Sequence, residues 1–160
     1  MTSRELTAAV LGSAAAGGLG SFAGGQTWAR VVAVRPEPLP PVTDVLSGSS
    51  AVPLVPAAGL VLLAGAVALV AVRGSGRVAV GLLIAAAGGA LAWSGLRALI
   101  GGLEAAAAEL PVVGGTPVVE TSSGWPAVTV VAGLVGACAG LLTVLRGRHW
   151  PALGRRYERA

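Results

Sequence analysis

Four long apolar stretches, separated by polar and proline-rich ones, set the plan of this 160-residue chain. Leu6 to Ala23, Leu54 to Val72, Val78 to Ile100 and Pro126 to Leu145 contain no charged residue apart from Arg97. About 20 apolar residues rising 1.5 Å each cross a hydrocarbon core of about 30 Å, so each stretch can span a bilayer as a helix. The second and third are joined only by Arg73-Gly74-Ser75-Gly76-Arg77, a short turn whose two arginines belong at the water boundary on the cytoplasmic side. The pattern predicts an all-α membrane protein, a four-transmembrane-helix bundle forming a single domain over residues 1–160. Its spans fall at about 6–23, 54–72, 78–100 and 126–145, its outer loops at 24–53 and 101–125, and a cytoplasmic tail at 146–160.

The first stretch admits two readings. A signal peptide has a basic start, a short apolar run and a small-residue cleavage site, for which Ser21-Phe22-Ala23 would serve. A retained helix is preferred, because three further spans follow and the stretch is long for a signal. Ser13, Gly17 and Ser21 then share one face at spacing four. Pro56 suits the first turn of the second helix, where its missing N–H costs nothing.

The loops carry a different pattern. Val31 to Val34, Val42 to Leu46 and Thr116 to Thr121 read as short strands, with Pro36, Pro38, Pro40 and Pro41 breaking any helix between the first two. Strands this short are marginal alone, so the two outer loops are expected to share one small extracytoplasmic β-rich cap. Gly101-Gly102 loosens the third helix, Leu103 to Leu110 is Ala-rich enough to continue it, and Pro111 ends it.

Composition sharpens the reading. The chain is 54% hydrophobic and only 11% charged, with a mean hydropathy of +0.81, far from an ordinary soluble domain. Every basic residue except His149 is arginine, and Lys and Asn do not occur, a bias of G+C-rich bacterial genomes. The net charge of +4 and pI near 11.0 would suit nucleic acid, but the arginines gather at span ends, so membrane orientation accounts for them and no nucleic-acid partner is expected. Eight of the eleven (Arg4, Arg73, Arg77, Arg146, Arg148, Arg155, Arg156 and Arg159) fall on one side of a four-span topology. Glu37, Asp44, Glu104, Glu109 and Glu120 fall on the other. Both termini are therefore expected in the cytoplasm of a cell whose plasma membrane holds the bundle.

Candidate functional residues are few. Trp28 and Trp125 flank spans at headgroup depth and are read first as interfacial anchors, with a ligand role second. Trp93 and Arg97 lie four apart on one helix face; Arg97 either snorkels outward or faces inward, binding an anion or pairing with Glu104 or Glu109. The last span contains Gly136-Ala137-Cys138-Ala139-Gly140, extended backward by Ala132. Small residues at this spacing let another backbone approach, either within the chain, which is preferred, or in a homo-oligomer. Cys138 reads as a small apolar filler, and one cysteine makes no internal disulfide. His149, Trp150 and Tyr157 stand among the arginines of the tail, where each arginine adds about 1 kcal/mol of attraction to an anionic leaflet. No nucleophile–base pair, glycine-rich phosphate loop or intramembrane carboxylate pair is apparent. Catalysis, metal binding and a cofactor are accordingly not expected.

A resemblance rests on particular residues. Trp28 after the first span, the Pro38-Leu39-Pro40-Pro41-Val42 loop and Trp125 before the last span carry part of it. The segment Leu141-Leu142-Thr143-Val144-Leu145-Arg146-Gly147-Arg148-His149-Trp150-Pro151, followed by Arg155-Arg156-Tyr157-Glu158, carries the rest. Together these resemble the tryptophan-biosynthesis-associated membrane proteins of actinobacteria, over nearly the whole chain. The resemblance implies four spans and an association with tryptophan biosynthesis, and brings no catalytic residues with it. The expected role is that of a non-catalytic accessory or scaffold protein whose partners are the bilayer and other membrane or tryptophan-pathway proteins. A small-solute transporter, or its accessory subunit, for tryptophan- or indole-like compounds is the alternative.

Overall fold

A computed structural model describes residues 2–110 and 116–147. Four long helices form a ring-shaped bundle: α1 (Thr2–Gly24), α3 (Leu54–Ala71), α4 (Ser75–Arg97) and α6 (Gly124–Arg146). Each is long and apolar enough to cross a membrane. Going round the ring, α1 packs on α3, α3 on α4, α4 on α6, and α6 back on α1. At one end three strands, β1 (Thr27–Val34), β2 (Val42–Ser47) and β3 (Thr116–Thr121), make an antiparallel sheet in the order β2-β1-β3. Two short helices, α2 (Gly48–Ala51) and α5 (Leu103–Ala108), join this sheet end to the bundle. The fold is thus mostly helical with a small sheet; α1 and α6 run somewhat beyond the predicted spans, α3 ends one residue short, α4 starts and ends three residues earlier, and β1 starts earlier than Val31. The tail arginines Arg148, Arg155, Arg156 and Arg159, with His149, Trp150, Tyr157 and Pro111, lie outside the described residues.

The bundle is built inside out. Large side chains such as Leu11, Leu60, Val67, Leu82, Leu83, Val131, Leu134 and Leu141 point to the perimeter. Glycine, alanine and hydroxyl residues fill much of the interior. Lipid solvates the outer side chains as well as a partner helix would, so helices associate where small residues let backbones meet.

That logic is clearest between α4 and α6, which run antiparallel. Gly81, Gly88 and Gly95, seven apart on α4, oppose Gly140, Gly133 and Pro126, seven apart on α6. A Cβ on Gly88 would lie 2.8 Å from the Gly133 carbonyl oxygen, one on Gly133 2.7 Å from that of Gly88, and one on Gly140 2.7 Å from that of Gly81. Neither backbone leaves room for a methyl group. Of the three small residues singled out from the sequence, Gly140 points its Cα hydrogens into this seam, and the Gly136 carbonyl carbon borders it beside Gly88. Gly136 faces Leu62 and Ala16 at the bundle centre, and Ala132 is buried in the core. The seam follows spacing seven: Gly136 meets Gly88 with its main chain only, while the position of its absent side chain points to the bundle centre. Ser13, Gly17 and Ser21 all turn to α3: the Ser13 hydroxyl donates to the Leu62 carbonyl at 2.7 Å, and Gly17 and Ser21 flank Gly59.

The opposite end also departs from expectation. Helix α4 begins at Ser75, so Arg77 belongs to its first turn and is buried, rather than sitting in a solvated turn like the exposed Arg73. Its Nε donates to the Val72 carbonyl at 2.9 Å, capping the end of α3. A cation is favoured there by the helix dipole and by the unsatisfied carbonyls of the last turn. Close by, Arg146 of α6 pairs with Glu5 of α1.

Candidate functional site

The sheet end is where the chain becomes polar and irregular. Helix α4 leaves its regular ladder at Ala98–Gly102, a wide turn in which Ile100 and Gly101 are non-helical and Gly101 takes φ 106°. A side chain is strained at that angle, so glycine is required. At Gly102 a Cβ would sit 2.7 Å from the Arg97 carbonyl oxygen, so the chain folds closely over the end of α4. The turn redirects the chain, and α5 packs against β1 and β3. Leu103 and Ala107 are buried on its sheet side, while Gly102, Ala105, Ala106 and Glu109, at helical spacing, share the other.

This second face closes a cleft of about 380 Å³. Its opposite wall is the entry to α3, Ala51-Val52-Pro53-Leu54, and its floor is the last turn of α4 with Trp93, Ser94, Arg97 and Ala98. Arg97 and Glu109 both reach it from different elements. Among the described residues neither forms an ion pair or hydrogen bond, with the other or with any third side chain. The Ser94 hydroxyl is occupied by its own helix, donating to the Ala90 carbonyl at 2.8 Å. The cleft therefore offers one cation, one anion and the exposed ring of Trp93.

The four residues proposed from sequence do not gather in one place. Trp93 and Arg97 share the cleft, as their spacing indicates. Trp125 lies on the α1–α6 side of the ring, its ring edge-on to Phe22 with centroids 5.7 Å apart. Trp28 is not at a lipid boundary at all. It is fully buried, its Nε1 donating to the Ala23 carbonyl at 2.8 Å, with Gly48 pressed against the indole. A bulge in the β1–β2 register between Thr27 and Ala29 explains this: the extra residue lets Trp28 and Ala29 both turn inward. Trp28 plugs the bundle beneath the sheet. Cys138 is exposed on the perimeter beside the α1–α6 groove rather than filling the interior. Among the described residues no group of three His, Cys, Asp or Glu side chains is placed to hold a metal.

Of Glu104 and Glu109, the two possible partners of Arg97 offered by the sequence, Glu109 reaches the cleft and neither pairs with Arg97 among the described residues. Only the glycine pair at 101–102 signalled a bend, and its direction depends on the sheet that α5 covers.

The chain matches no curated protein and no solved structure. The family model of the tryptophan-associated transmembrane proteins, however, matches residues 10–160, in keeping with the four membrane-crossing helices, and the chain belongs to that family as a multi-pass membrane protein.

Proposed function

We propose that this protein serves tryptophan metabolism at the bacterial plasma membrane as a non-catalytic accessory protein. In this reading both termini are cytoplasmic, and the sheet and cleft face outward. The observation that carries the reading is the closed interior of the bundle. Val55, Leu62, Leu69, Ile84 and Leu91 fill its axis at 0% exposure. The hydroxyls of Ser13, Ser94, Thr129 and Thr143 bond main-chain carbonyls instead of lining a path. A carrier exposes polar groups toward a central site at mid-membrane. Here the polar chemistry is at the ends: the cleft at one, and Arg146 with Glu5 at the other; the sequence after α6 carries four more arginines, a charge that suits an acidic cytoplasmic partner.

A transport accessory subunit is the second reading. It is favoured by one observation, the charged and half-enclosed cleft beside Arg97. Deleting the gene and following growth without supplied tryptophan, together with internal and exported tryptophan and indole, separates the two. The accessory role predicts reduced pathway flux with export and uptake intact, and truncation after Leu145 reproducing the loss. Altered transport with intact flux selects the second reading, and a strain indistinguishable from its parent refutes both. A cytoplasm-active reporter fused to the carboxyl end is expected to be active; a silent but stable fusion reverses the topology.

A further inference from the structure

We propose that the cleft between α3, α4 and α5 binds a free α-amino acid with a large apolar side chain, holding it as a zwitterion. This deepens the second reading, the transport accessory subunit favoured by the cleft, and rests on it. Three observations converge. The volume of about 380 Å³ falls within the range of roughly 300–1,000 Å³ found for small-molecule sites. Arg97 and Glu109 line it together but remain unpaired with each other, so each keeps its charge for a third party. The ring of Trp93, with Val52 and Pro53 across from it, supplies an apolar wall.

The chemistry follows from these groups. A guanidinium fork matches a carboxylate with two parallel hydrogen bonds, and a carboxylate at Glu109 accepts from an ammonium. An apolar side chain then lies over Trp93. A ligand with only one charge leaves the other protein charge without a partner. A ligand with none gains only the ring. The bend at Gly101 is what brings Glu109 to the cleft, so the site exists only while α5 is folded against the sheet.

The same pairing of anion and ammonium occurs in a phosphatidylethanolamine headgroup, and the experiment distinguishes the two sources. The full chain, in nanodiscs of phosphatidylglycerol or of phosphatidylethanolamine, is titrated calorimetrically with L-tryptophan, tryptamine, indole-3-propionate and indole. Tryptamine lacks the carboxylate, indole-3-propionate the ammonium, and indole both. The expected result in either lipid is that L-tryptophan binds best and that each singly charged analogue is weaker by roughly tenfold or more, the usual worth of a charged hydrogen bond. Arg97→Gln is expected to erase the preference over tryptamine, and Glu109→Gln the preference over indole-3-propionate. Both substitutions are at exposed positions, and an unchanged melting temperature verifies the fold. Indole binding as well as tryptophan, no binding by folded protein, or selectivity untouched by either variant overturns the proposal. So does binding seen only without phosphatidylethanolamine, which makes the lipid headgroup the occupant. The accessory role is read separately, from tryptophan and indole levels in the deletion strain, so either can fail without the other.

Discussion

Helix α4 meets its two neighbours in opposite ways. Toward α6 the two backbones meet at glycines seven residues apart, with carbonyl oxygens, and the Thr143 and Val130 side chains at the two ends, where a methyl group would be. Toward α3 the Ile84 side chain is inserted against Gly65, and at the sheet end the two helices part to leave the cleft. The first contact is all van der Waals fit and accepts no added atom. The second is filled by side chains that can change rotamer, and it ends in polar groups without partners. One helix thus carries both the stiffest seam of the molecule and its adaptable site.

The sharpest test of the seam compares adjacent glycines. Gly88→Leu drives a side chain into the backbone around Gly133 and Ala137 and is expected to cost about 3 kcal/mol, the upper part of the usual overpacking range. Gly89→Leu, where a Cβ meets nothing within 4 Å, is expected to be neutral or to stabilise by less than about 1 kcal/mol through helix propensity. Thermal melts in detergent measure both. Equal effects would remove the distinction between seam and perimeter.

The cleft side is tested next by Gly101→Val, which forces a branched side chain to φ 106° and is expected to cost about 1–3 kcal/mol. Because α5 is re-aimed, the variant should also lose tryptophan binding while the seam stays intact. Retained binding would show that Glu109 does not need the bend.

Trp28 asks whether the two regions are coupled. Trp28→Phe keeps most of the plug and removes one of the two hydrogen bonds to the Ala23 carbonyl, which still accepts from the Gln26 N–H at 3.1 Å, with an expected cost of about 1 kcal/mol and no change in cleft selectivity. The smallest effect belongs to the α1–α3 contact, where Ser13→Ala removes a single hydrogen bond to Leu62. Such interhelical bonds average about 0.6 kcal/mol.

Sequence alone conveys each region to a different depth. The helices and strands were legible because apolar length and Val/Thr alternation are local signals, and Thr116–Thr121 forms the strand expected of it. The seam was half legible. Gly140 stands out by its short spacing to Gly136, yet the partners Gly81, Gly88 and Gly95 become meaningful only once α4 is known to lie antiparallel to α6. At the cleft, Trp93 and Arg97 could be paired from helical spacing alone. Glu109 could be offered only as one of two possible partners of Arg97, since its approach depends on a bend, and the removal of Trp28 from the surface was not legible, since a one-residue bulge decides which way it points. Arg77 shows the same limit: a turn arginine and a buried cap differ by where α4 takes its first turn.

The sheet has a consequence for how the protein is made. Its central strand, β1, is followed directly in the chain by one partner, β2, but its other edge waits for β3, which is made only after α3 and α4. During that interval Arg30 to Val34 present a bare row of peptide groups, a template for wrong pairing. Arrival of β3 closes it and brings α5 to rest against both strands. The sheet therefore acts as a clasp that shuts only after two further long helices have been made, and a chain stalled before β3 displays an open edge.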